Sequence, residues 1–204
     1  MKVMELFESP KHTFPTDFGL DEFDYNVKFG QELLKQYSKV ALEKVGDGYT
    51  LWEFKREFAL IRDEDSYVAY YMKFRFDMIN LIKRQCVSQI AIWRSRMVNE
   101  QSGMAKRIFM NHLIPKYGNI ITDSEQTEDG RRFWADRIRE CVTQGDCYVY
   151  YVSIYPDRKF LDVSSMKDYE HIIRNQPAYG SNEMFKNRRF VITTKPLDNS
   201  IILI

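Results

Sequence analysis

Residues 99–110 read Asn-Glu-Gln-Ser-Gly-Met-Ala-Lys-Arg-Ile-Phe-Met. The preceding run, residues 86–97, is rich in β-branched and aromatic side chains and predicts a strand. Beyond Gly103, the residues Met104, Ile108, Phe109 and Leu113 recur at helical spacing. A strand, a small-residue loop and a helix together turn main-chain N–H groups toward a phosphate. The first N–H groups of a helix have no intrahelical acceptor, and its dipole adds partial positive charge. Lys106 and Arg107 add full charges close by. A single glycine also fits an ordinary strand-to-helix turn.

Upstream, residues 2–7 predict a short strand, and Pro10, Pro15 and Gly19 mark residues 9–20 as loop. A helix is expected over residues 21–37. Asp21 is its N-cap, and Phe23, Val27, Leu33, Leu34 and Tyr37 lie near one stripe that Gly30 interrupts. The period then changes. Residues 38–44 alternate, Gly46-Asp47-Gly48 turns, and 49–61 is one run rich in large apolar side chains. Residues 62–65 turn again and 67–76 alternate, whereas 77–84 fits either strand continuation or a short helical bulge. Short turns between such runs predict an antiparallel meander.

Downstream, Pro115 and Gly118 are expected to end the helix that follows Gly103, and residues 119–122 form a short buried strand. A second helix is expected over 128–142, with Trp134, Ile138, Cys141 and Val142 inward. Residues 148–155 predict a strand that 160–163 extends. Residues 165–174 predict a helix with a Ser165-x-x-Asp168 cap, and 189–194 the last strand. The expected class is α/β (α+β), with a mixed, largely antiparallel central sheet flanked by helices. One domain is expected over residues 1–204, with 1–48 a candidate N-terminal extension containing a helix.

The chain is 44% apolar and 15% aromatic, enough for a substantial core. Its net charge of +1 provides no strong global field for nucleic acid or membrane, although local basic patches remain. No run of apolar residues is long enough for a membrane span or signal peptide, so a cytoplasmic protein without a membrane partner is expected. Cys86, Cys141 and Cys147 make an odd, irregularly spaced set, which reads as reduced thiols, with Cys86 and Cys147 as small core residues in strands. His12, His112 and His171 have no metal-ligand spacing, so no metal site is expected.

The order of elements, with the loop after the fourth core strand opening a helix, resembles the GNAT superfamily of acyl-CoA N-acyltransferases. There a (Gln/Arg)-x-x-Gly-x-(Gly/Ala) loop cradles the pyrophosphate of coenzyme A. The matching run here is Glu100-Gln101-Ser102-Gly103-Met104-Ala105. Gly103 and Ala105 match; Glu100 departs from the pattern. The family often bears a general-acid tyrosine on the next helix, where this chain has Phe133 and Trp134. Residues 120–134 also look like divergent acetyltransferase-like proteins of bacteriophages, which would place the protein in the host cytoplasm. The resemblance spans about residues 49–195. It implies acetyl-CoA or another acyl-CoA as co-substrate, held by Arg96, Met97, Val98, Gln101, Ser102, Gly103, Met104, Ala105, Lys106 and Arg107.

Acyl transfer from a thioester needs a base for the amine and a donor for the oxyanion or thiolate. Asp123 and Ser124, just past the strand at 119–122, are the candidate catalytic residues, in the position where sites of α/β sheets commonly lie. Thr127 is a candidate donor too, but the acidic run after it favours reading it as the helix cap. The acceptor would be an amine on a protein, a small molecule or a nucleobase. Two alternatives share the fold. A DNA base-modifying transferase would use Lys83, Arg84, Arg94, Arg96, Lys186, Arg188 and Arg189 on phosphates. A catalytically degenerate binding protein is motivated by Glu100 and the absent tyrosine.

Overall fold

The computed structural model describes residues 23–95, 99, 102–122, 128–153, 158–175 and 187–197. The expected strand at 2–7 and loop at 9–20 lie outside them. The class is mixed α/β with a mostly antiparallel sheet, as expected. The chain divides into two compact units, residues 1–73 with 91–104 and residues 74–90 with 105–204, and β4 and β5 contribute to both.

In the first unit, helix α1 (Phe23–Leu34) precedes strands β1 (Val40–Val45), β2 (Tyr49–Glu53), β3 (Glu57–Arg62) and β4 (Val68–Ile79). All three pairings are antiparallel: Lys44 faces Thr50, Leu51 faces Leu60 and Ala59 faces Tyr71. The Gly46–Gly48 turn forms as predicted, with both glycines at positive φ (55° and 84°), where a side chain would be strained. The apolar run over 49–61 is not one strand. The chain reverses after Glu53, and the Phe54 amide donates to the Glu57 carbonyl at 2.8 Å. Alternation fails in β4 as well. Val68 through Met72 are all buried, as expected of a strand covered on both faces.

Helix α1 seals this sheet. Leu33 joins Phe54, Ala59, Ile61, Val68 and Tyr71 in a buried cluster, with Phe29, Leu34, Trp52 and Trp93 around it. Tyr37, expected on the same stripe, lies beyond the end of α1 and is fully exposed.

The second unit orders its strands β5-β6-β9-β7-β8. Strand β5 (Arg84–Arg94) pairs in parallel with β6 (Asn119–Ile121), at Val87–Ile120 and Ser88–Ile121. Strand β9 (Arg188–Thr193) runs antiparallel to both β6 and β7 (Tyr148–Ser153). Strand β8 (Lys159–Asp162) is a separate antiparallel neighbour of β7, not its extension. The segment 77–84 resolves into strand through Ile79, then a turn with Lys83 at φ 47°. One face buries Ile79, Ile82, Cys86, Ile121, Tyr150, Val152, Val191 and Leu197. Helix α4 (Glu128–Gln144) buries Trp134, Ile138 and Cys141, and α5 (Met166–Asn175) packs Tyr169 against Phe190 at 5.3 Å. The Ser165 cap is present: its hydroxyl accepts the Asp168 amide at 3.2 Å and donates to the Asp168 carboxylate at 2.7 Å.

Two expectations are corrected here. Pro115 does not end the helix after Gly103. That helix runs as α2 (Met104–Arg107), a π-helical stretch (Ile108–Leu113) and α3 (Ile114–Tyr117), and it stops at Gly118 with φ 73°. Proline lacks the N–H of an α-turn and crowds the carbonyl four residues back; the wider π turn, closed by the Ile114 amide on the Phe109 carbonyl, relieves that crowding. The cysteines are not all reduced either. Cys141 and Cys147 form a disulfide across the turn after α4, where Gly145 at φ 71° reverses the chain and brings the two Cα atoms to 5.2 Å. Cys147 therefore precedes β7; Cys86 is a buried free thiol in β5, as expected.

Candidate functional site

The loop after β5 is described at Asn99 and again from Ser102. Arg96, Met97, Val98 and Gln101 lie outside the described residues. Ser102 donates its amide to the Asn99 carbonyl at 2.9 Å, so that N–H is taken by the chain itself. Gly103 is exposed at φ 69°, and among the described residues no atom lies within 4 Å of where its Cβ would stand. That backbone conformation favours glycine. Met104 follows at 1% exposure and anchors the start of the helix. Ala105 is half-buried. The N–H groups of this first turn have no intrahelical acceptor.

The charges are arranged differently from the expectation. Lys106 reaches Glu140 of α4 at 2.7 Å, and Arg137 reaches the same carboxylate oxygen at 3.0 Å. Lys106 is thus paired with a carboxylate of α4 at the surface. Sequence reasoning missed Glu140, because a partner 34 residues away leaves no periodic trace. Arg107 is half-buried. Beneath the helix, Phe109 packs edge-on against Trp134 at 5.0 Å, and Arg137 lies 5.4 Å over the Phe133 ring. Trp134 is core, as its helical stripe predicts.

At the end of β5, Ser95 is buried. Its amide donates to the Ala69 carbonyl at 2.8 Å, and its hydroxyl meets that of Tyr67 at 2.7 Å. The Asn26 amide nitrogen reaches the same Tyr67 hydroxyl at 3.5 Å, while its carbonyl oxygen is buried without a hydrogen-bond partner among the described residues. At the end of β6, Thr122 is locked to β9: its amide donates to the Phe190 carbonyl at 2.9 Å, and its hydroxyl accepts the Phe190 amide at 3.0 Å. Asp123, Ser124 and Thr127 come next and lie outside the described residues. Thr122 was read only as the end of a short strand; its two bonds to Phe190 were not foreseen.

The basic residues expected to meet DNA do not all remain available. Arg189 pairs with Asp77 at 3.2 Å and Arg75 binds the other oxygen of that carboxylate at 2.8 Å. Arg94 and Lys83 are exposed, and Arg84 and Arg188 are half-buried. Lys186 lies outside the described residues, as does Arg96.

A cleft of about 540 Å³ opens in the first unit between α1 and the β2–β3 turn. Phe29 and Leu33 form its apolar wall, and Lys55, Arg56 and Lys73 stand with Glu32 and Glu57 around it. None of the sequence-predicted site residues lines it. No described helix is long and apolar enough to cross a membrane. No protein family, curated protein or solved structure matches the chain.

Proposed function

We propose that this chain is a GNAT-like acyltransferase that moves an acetyl or related acyl group from acyl-CoA to an amine. The observation that carries the proposal is the parallel pair β5–β6 joined through an exposed Gly103 turn and a helix. The registered pairs are at Val87 and Ser88, and β5 runs on to Arg94. An extended amide-bearing arm would lie along the C-terminal part of β5, between Ser88 and Arg94. The insertion of β9 between β6 and β7 supports the same reading, since it directs the ends of β6 and β7 to one region of the second unit.

The diphosphate would rest on the amides of Gly103, Met104 and Ala105. Ser102 would contribute its hydroxyl, because its amide is already bonded. Acyl-CoA supplies an activated thioester. The acceptor amine attacks its carbonyl carbon, an N–C bond forms, the C–S bond breaks, and the thiolate leaves. Asp123 would take the amine proton and Ser124 would donate to the oxyanion or thiolate. Both roles are assigned by position, one and two residues past Thr122. Phe133 and Trp134 cannot protonate a thiolate, so neither stands in for the family tyrosine.

Calorimetric titration with acetyl-CoA tests the proposal. Saturable binding that Gly103→Asp abolishes without loss of fold supports it. Absence of heat at millimolar acetyl-CoA overturns it.

A further inference from the structure

The turn between α4 and β7 carries a second chemistry, independent of acyl transfer. Cys141, Asp146 and Cys147 present one donor atom each, all within 4.8 Å of one another. In the structure the two sulfurs are joined as a disulfide. The Asp146 carboxylate oxygen lies 3.2 Å from the Cys147 sulfur. A disulfide sulfur has no proton to donate, so this is not a hydrogen bond. Reduction would turn that sulfur into a thiol or thiolate beside the carboxylate, two donors that one cation can share. No cationic side chain pairs with Asp146 among the described residues. The 17-residue helix α4 also ends here, and its unsatisfied carbonyls favour positive charge.

We infer that the reduced turn is a binding site for a thiolate-preferring divalent cation such as Zn²⁺, held by Cys141, Cys147 and Asp146, and that the disulfide is its metal-free form. Two thiolates and a carboxylate make three ligands of a tetrahedral set and leave one position for water. The interconversion balances without any group the structure lacks except a named reductant. A phosphine attacks the S–S bond and, with water, yields two thiols and a phosphine oxide. The two thiols then lose two protons to the solvent as the cation binds. Cys141 is fully buried and Cys147 less so. Binding would rigidify the α4–β7 turn in place of the covalent link.

Titration of the full chain with Co²⁺ tests this, with one sample oxidised and one reduced by phosphine. The reduced chain is expected to bind one equivalent, with thiolate-to-cobalt charge-transfer absorption that Zn²⁺ then quenches. The oxidised chain and Cys147→Ser are expected to show no such band, and circular dichroism reports whether the variant is folded. Asp146→Asn is expected to weaken Co²⁺ by about tenfold or more, as loss of one of three ligands requires. Cys86→Ala is expected to retain the band. Absence of the band in the reduced chain, its persistence in Cys147→Ser, or undiminished affinity in Asp146→Asn overturns the site.

Discussion

The carbonyl oxygen of Ser66 occupies the space that a Cβ on Gly30 would need, and the Val68 Cγ2 stands 3.2 Å from the same point. Ser66 reaches that place because its backbone is left-handed, φ 69°, after the turn that follows β3. Helix α1 therefore lies against the sheet backbone to backbone at Gly30. Alanine is the better helix former, but here its methyl would have to displace a main-chain carbonyl. Gly30→Ala is expected to cost about 1–3 kcal/mol, the usual range for overpacking, toward its upper end because a main-chain carbonyl must move. Urea unfolding measures it. An unchanged or raised midpoint would mean that α1 does not pack this way.

The acid limb of stability should report the β3–β4 turn. Asp63 is held below the ordinary carboxylate range chiefly by the Lys44 ammonium at 2.8 Å, with the Thr50 hydroxyl at 2.6 Å. Asp65 is lowered chiefly by the Arg62 guanidinium, which donates two bonds at 2.6 and 2.9 Å. A lowered folded pKa adds stability that is complete above the unfolded value of about 3.9 and is lost as pH falls through the folded value. The thermal midpoint is expected to be insensitive to these two groups from neutrality to about pH 5 and to fall below about pH 4. Asp65→Asn should make that fall shallower. An identical acid slope in the variant would contradict the assignment.

Thiol chemistry checks the cysteine pairing. Burial pushes the Cys86 thiol up to about 12, with Asp77 adding and Arg84 and Arg189 opposing. At pH 8 its thiolate fraction is roughly 10⁻⁴. The native chain is expected to give no titratable thiol, the unfolded chain one, and the unfolded, reduced chain three. Three thiols without reductant would exclude the Cys141–Cys147 bond.

The start of α5 offers a local test. Ser165 caps the Asp168 amide, whereas the Ser164 hydroxyl only donates to the Asp168 carboxylate at 3.1 Å. Ser165→Ala is expected to cost about 1 kcal/mol and Ser164→Ala distinctly less. Denaturant midpoints of the two variants decide the matter, and equal losses would contradict the geometry.

Much of the fold was legible because its signals are local. Gly46 and Gly48 mark a turn, Gly118 ends a helix, and Ser165 with Asp168 announces a cap. What was not legible depends on partners distant in sequence or on missing punctuation. No glycine or proline marks the reversal at Phe54–Arg56, so two strands read as one. Pro115 is tolerated because the helix widens to a π turn just before it. Gly30 reads as a weakness in α1 until Ser66 is brought against it. The Cys141–Cys147 spacing looks irregular until Gly145 turns the chain. At the candidate site, Gly103 was readable as the loop residue that opens a helix, but the pairing of Lys106 with Glu140 was not.

The central claim is that main-chain amides beside Gly103 receive a diphosphate. Amide chemical shifts of a ¹⁵N-labelled chain, followed during titration with coenzyme A, test it most directly. The account predicts saturable shifts concentrated at Gly103, Met104, Ala105 and Lys106. Shifts confined to other segments, or none up to millimolar ligand, would contradict it.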